Sequence, residues 1–91
     1  MRTAAFASAK AGQRALAQSM AKLLGPKGVH VAYVIVDGVI STPATRARMA
    51  DRPDTFFLDP DRIAEAILLL TRQDRSAWTF ELDLRPFGET W

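Results

Sequence analysis

Apolar positions recur along the first quarter of the chain at helical spacing. Phe6, Ala9, Gln13, Leu16, Met20 and Leu23 mark a stripe stepping by three or four residues, apolar except at Gln13. The residues around it are Ala, Leu, Met, Gln, Lys and Arg, all good helix formers, and the pattern predicts a helix over residues 4–24. Ala5, Ala11, Gly12 and Ala15 keep neighbouring faces slender, which suits close packing against another helix, including one from a second subunit. Lys22 in the last turn, Gly25 as a left-handed cap and Pro26 predict its end.

The pattern then changes period. Val29 to Val36, VHVAYVIV, is β-branched and apolar on both faces, which predicts a buried parallel strand ended by Asp37-Gly38. Ser41 to Leu58 mixes Thr42-Pro43, a basic stretch from Arg46 to Arg52, Pro53 and the apolar tip Phe56-Phe57-Leu58. It reads as a long loop with one or two helical turns, and long loops in small domains are usually lids or mobile. Asp59 as N-cap and Pro60 at the first helical position open a second helix, residues 60–71, with Ile63, Ala64, Ile67, Leu68 and Thr71 as its buried stripe. Gln73 to Ser76 is a turn. Trp78 to Leu84 alternates, with Phe80, Leu82 and Leu84 on one side and Thr79, Glu81 and Asp83 on the other, predicting a half-exposed edge strand. Pro86 stops it, and Phe87 and Trp91 are aromatic docking candidates in the tail.

Helix, buried strand, loop, helix and edge strand make an α/β chain, with a right-handed βαβ unit if the strands are parallel. A strand apolar on both faces needs a layer on each side and, if internal, a neighbour at each edge. Two strands supply one neighbour, so the pattern describes part of a sheet.

Composition narrows the chemistry. The 91 residues suit a single domain, 1–91, or a piece of a larger one. Net charge is +2 and the 12 basic residues are scattered, which argues against nucleic acid or a membrane surface as partner. No apolar run reaches the length of a membrane span, and the start has no signal-peptide core. With no cysteine there is no disulfide, thiolate metal site or cysteine nucleophile, and a cytoplasmic location is expected. The one histidine, His30, begins a strand and reads as structural; no metal site is expected.

Phe6-Ala7-Ser8-Ala9-Lys10 puts Phe6 and Lys10 on one helical face. It is followed by the run Val29 to Val36, then Asp37-Gly38-Val39-Ile40-Ser41-Thr42, the loop around Met49 to Leu58, the helix from Asp59 to Leu70, and Trp78 to Leu84. This ordered series, and the wording SAKAGQRALAQSMAKLLGPKGVHV, resembles the C-terminal third of a short-chain dehydrogenase/reductase. The resemblance implies a partial Rossmann-like unit, helix-strand-helix-strand, and an oxidoreductase using NAD or NADP on carbonyl or alcohol substrates. Lys10 then corresponds to the lysine that holds the nicotinamide ribose and acidifies a catalytic Tyr. Gly38, Val39 and Thr42 correspond to the turn that holds the carboxamide and phosphates. The resemblance also implies a homo-oligomer through helix 4–24, helix 60–71 and strand 78–84.

Three departures qualify it. Phe6 stands where the family has its catalytic Tyr, which suggests a divergent subgroup; Ser8, on another helical face, is no replacement. Asp37 stands where the family usually has Pro. The N-terminal dinucleotide-binding half has no counterpart here: the 91 residues hold no G-x-G-x-x-G or G-x-x-x-G-x-G loop. A truncated form is therefore expected, inactive by itself and not holding the cofactor alone. The alternative is a non-catalytic oligomerisation module derived from the same fold. Arg46, Arg48 and Arg52 could hold an acidic substrate, although a solvated loop face is the simpler expectation; Phe56, Phe57 and Leu58 could line a pocket or a subunit contact.

Overall fold

A computed structural model describes residues 4–88. They form two compact units, residues 4–33 with 73–82 and residues 34–72 with 83–88. The fold is α/β, with short parallel strands.

In the first unit, helix α1 spans Ala4–Leu24, as its composition predicts. Its end differs from expectation. Gly25–Lys27 makes one tight 3-10 turn, and Gly28 is the residue at positive φ (86°), its N–H donating to the Gly25 carbonyl. Pro26, with φ fixed by its ring, continues a right-handed turn readily, so the reversal falls two residues later. The packed face of α1 also differs. Arg14, Ala17, Ala21 and Leu24 are half-buried, whereas Phe6, Leu16, Met20 and Leu23 of the predicted stripe are 46%, 63%, 42% and 66% exposed. Small alanines let the backbone approach closely, and polar anchors do the rest. The Tyr33 hydroxyl donates to the Lys10 carbonyl (3.3 Å) and to Gln13 Oε1 (3.4 Å). Arg14 grips Glu81 Oε1 through Nε (2.7 Å) and Nη2 (2.6 Å) and lies over the Phe80 ring.

His30 is structural, as expected. Its Nε2 lies 2.7 Å from the Thr79 carbonyl oxygen, and its ring stacks on Trp78 at 4.6 Å and 3°. The Gln73 side chain accepts from Thr79 N–H and donates to Thr79 Oγ1, both at 2.8 Å. In the turn between, Asp74 accepts from the Ser76 amide and hydroxyl, which holds its carboxyl below the ordinary range.

Strand β1, Tyr33–Val36, pairs with β4, Glu81–Leu84. Tyr33 N–H donates to Phe80 O and Asp37 N–H to Leu84 O. Both partners advance by four residues, so the pair is parallel. Both strands are shorter than predicted. Val29–Ala32 lies outside β1, and β1 is half-buried, with Val36 exposed, rather than covered on both faces. Among the described residues it has one neighbouring strand, so the buried pattern is only partly met. At Trp78 and Thr79 the side chains and carbonyls serve His30 and Gln73, and the ladder starts after them. The alternation of β4 is as predicted: Leu82 and Leu84 are half-buried, Glu81 and Asp83 exposed.

In the second unit, β2 (Val39–Ile40) pairs in parallel with β3 (Phe57–Leu58), with Val39 opposite Phe57 and Ile40 opposite Leu58. The predicted loop between them contains helix α2, Pro43–Arg48. Helix α3 spans Pro60–Thr71, and Asp59 caps it by accepting from the Asp61 amide at 2.9 Å. The buried core sits here: Phe57, Leu58 and Leu70, with Pro86. The inward line of α3 is Ile63, Ala66 and Leu70; of the predicted stripe only Ile63 lies on it, for Ala64, Ile67, Leu68 and Thr71 are exposed. Apolar residues surround this helix on most sides, so the sequence pattern does not single out the face that packs. Phe87 is 89% exposed and is not docked; Trp91 lies outside the described residues.

Candidate functional site

The four-residue spacing of Phe6 and Lys10 on α1 does put them together. Lys10 Nζ lies 5.8 Å from the centroid of the Phe6 ring, and both side chains are exposed. The pair offers an ammonium beside an aromatic face and no hydroxyl. Ser8, also exposed, is two residues from Phe6 and so points from another side of the helix.

Gly38, Val39 and Thr42 belong to the other unit. Gly38 follows β1 with φ of 154°, and a Cβ there would meet Pro86 Cδ at 2.9 Å and Leu58 Cδ1 at 3.2 Å. Backbone conformation and packing both require glycine. Val39 is held in register against Phe57. Thr42 caps α2: its Oγ1 accepts from Thr45 N–H at 3.1 Å, and Thr45 Oγ1 accepts from Thr42 N–H at 2.9 Å. Thr45 Oγ1 also donates to the Ile40 carbonyl at 2.6 Å, so the cap fixes the end of β2.

Asp37 has a local explanation that its sequence position does not reveal. Its N–H donates to Leu84 O at 2.8 Å, a ladder bond a proline could not make. Its carboxylate pairs with Arg85 Nη2 at 3.3 Å, and Arg85 also pairs with Asp83.

The most organised polar cluster lies around Arg46. Its Nε donates to Ser41 Oγ (2.8 Å), its Nη1 pairs with Asp54 Oδ1 (2.6 Å), and its guanidinium carbon sits 4.1 Å from the centroid of the buried Phe57 ring. Ser41 is itself anchored by its N–H to the Leu58 carbonyl. A cleft of about 480 Å³ opens here, lined by Ser41, Arg46, Asp54, Phe57, Asp59 and Pro60. Arg46 is thus held by three partners while 41% of its side chain stays exposed; Arg48 is exposed and Arg52 lies over Phe56 at 4.7 Å. The sequence signal for this cluster is faint: a serine and an aspartate near a basic stretch, brought together by the pairing of β2 with β3.

Among the described residues no group of three His, Asp or Glu side chains could hold a metal ion, and no helix is long and apolar enough to cross a membrane.

No protein-family model and no curated protein matches the chain. Among solved structures it is similar to a short-chain dehydrogenase from Rhodopseudomonas palustris, at 44% sequence identity and a TM-score of 0.65. The match covers 92% of this chain and 30% of that one.

Proposed function

We propose that the chain is a portion of a short-chain dehydrogenase/reductase, of the type that transfers hydride between a nicotinamide cofactor and a carbonyl or alcohol, and that Phe6 deprives it of the family's proton donor. The observation that carries this reading is the 44% identity to the Rhodopseudomonas palustris dehydrogenase across 92% of the chain, with Phe6 and Lys10 on one exposed face of α1. The cofactor, NAD or NADP, supplies or accepts the hydride when bound. Lys10 suits a ribose: an exposed ammonium carries three donors for vicinal hydroxyls. Gly38, Val39 and Thr42 would border the carboxamide and phosphates, in addition to the structural duties they already have. Phe6 can shape the pocket but cannot move a proton, so the 91 residues by themselves are inactive in this proposal.

Replacing the corresponding segment of the Rhodopseudomonas palustris dehydrogenase by this chain tests the cofactor role. NADH fluorescence should report binding to the chimera, weakened about tenfold by Lys10→Ala, as expected for a lost charge-assisted hydrogen bond. Unchanged binding would remove Lys10 from the site.

A second reading, an oligomerisation module, is favoured by the exposed Leu16, Met20 and Leu23 of α1 and Ile67, Leu68 and Leu69 of α3. Under it, helix 4–24, helix 60–71 and strand 78–84 are covered by further copies, and light scattering at micromolar concentration finds no stable monomer.

A further inference from the structure

We propose that the cleft bounded by Ser41, Arg46, Asp54, Phe57, Asp59 and Pro60 is a binding site for a small uncharged polyhydroxylated molecule, a polyol or sugar. Its volume, about 480 Å³, lies within the span of small-molecule sites. Its lining differs from the usual apolar one: a hydroxyl, a guanidinium and two carboxylates stand around one aromatic ring and a proline.

Two features select the ligand class. The first is fixed donor geometry. Arg46 is held by Ser41 at Nε, by Asp54 at Nη1 and by Phe57 beneath its plane, so little side-chain entropy is left to lose on binding. Its Nη2 has no hydrogen-bond partner among the described residues, and Ser41 Oγ, which accepts from Arg46, keeps its own hydrogen to donate. The second is charge. One cation and two carboxylates line the space, so an added anion meets net repulsion. Asp59 is partly committed, because one of its oxygens caps α3. Asp54, 91% exposed, keeps its second oxygen available as an acceptor. Donors and acceptors therefore both line the cleft. Adjacent hydroxyls satisfy both kinds at once, each giving a hydrogen to a carboxylate and taking one from the guanidinium, and add no charge to the cleft. A purely apolar ligand would leave these groups desolvated and unmatched. The inference stands apart from the oxidoreductase reading, since it uses neither Lys10 nor Phe6.

The test is a titration of the isotopically labelled 91-residue chain with myo-inositol, followed by amide and arginine Nε–H NMR. Acetate, inorganic phosphate and methylammonium serve as charged comparators. Saturable shifts with myo-inositol at Ser41, Arg46 Nε–H and Phe57 are expected. Asp54→Asn, at an exposed position that should not disturb folding, and Arg46→Lys should each weaken them about tenfold, the loss of a charge-assisted hydrogen bond. Absence of saturable shifts overturns the proposal. Shifts with only an anion, or only methylammonium, overturn it equally, because they assign the cleft to a charged ligand.

Discussion

Phe6 keeps nearly the volume of a tyrosine and lacks the single oxygen that could exchange a proton, while Lys10, one turn on, remains positioned above its ring. Under the proposed function, the chemistry at this pair is reduced to binding. Gly38 shows the opposite situation, a residue whose identity is dictated by its surroundings. With φ at 154° and Pro86 Cδ 2.9 Å from where a Cβ would stand, Gly38→Ala should lower stability by about 1–3 kcal/mol, read from the urea midpoint. An unchanged midpoint would mean that the turn relaxes freely. Residues of this kind were legible as positions and not as reasons. Gly38 is marked as a turn by Asp37-Gly38 in the sequence, but Pro86 and Leu58 come to it from distant segments. Asp37 likewise looks like a departure from a family pattern until Arg85 and Leu84 are seen beside it.

At the scale of elements, boundaries followed from local chemistry and packed faces did not. Helices α1 and α3 run where their formers and caps place them, because capping by Asp59 and helix propensity are decided within a few residues. Which face packs is decided by partners. In α3, Leu68, Leu69 and Leu70 are consecutive leucines, and only Leu70 is buried. Leu70→Ala should accordingly cost about 2–4 kcal/mol, whereas Leu69→Ala should stay within about 0.5 kcal/mol, both by thermal or urea unfolding. Equal losses would show that the exposed side is also covered. The shortening of β1 and β4 has the same origin: His30, Gln73 and Trp78 recruit Thr79 into a side-chain network, and ladder pairing begins only beyond it.

For the molecule as a whole, order of elements was the most legible property, and it is what the Rhodopseudomonas palustris dehydrogenase shares over 92% of this chain. The chain spans 30% of that protein's length, so the sheet and the cofactor site of such an enzyme draw on more residues than these 91. Buried side chains are confined to the second unit among the described residues, and apolar side chains stand exposed on both long helices. The Arg46 cleft, by contrast, was barely legible, because it depends on the pairing of two dipeptide strands separated by sixteen residues that include α2. The most direct measurement is hydride transfer from NADH to a carbonyl acceptor by the Rhodopseudomonas palustris chimera carrying this segment, with Phe6 retained and with Phe6→Tyr. The account predicts that the chimera with Phe6 binds NADH and gives no turnover, and that Phe6→Tyr restores it. Turnover with Phe6 in place, unchanged by the substitution, would contradict it.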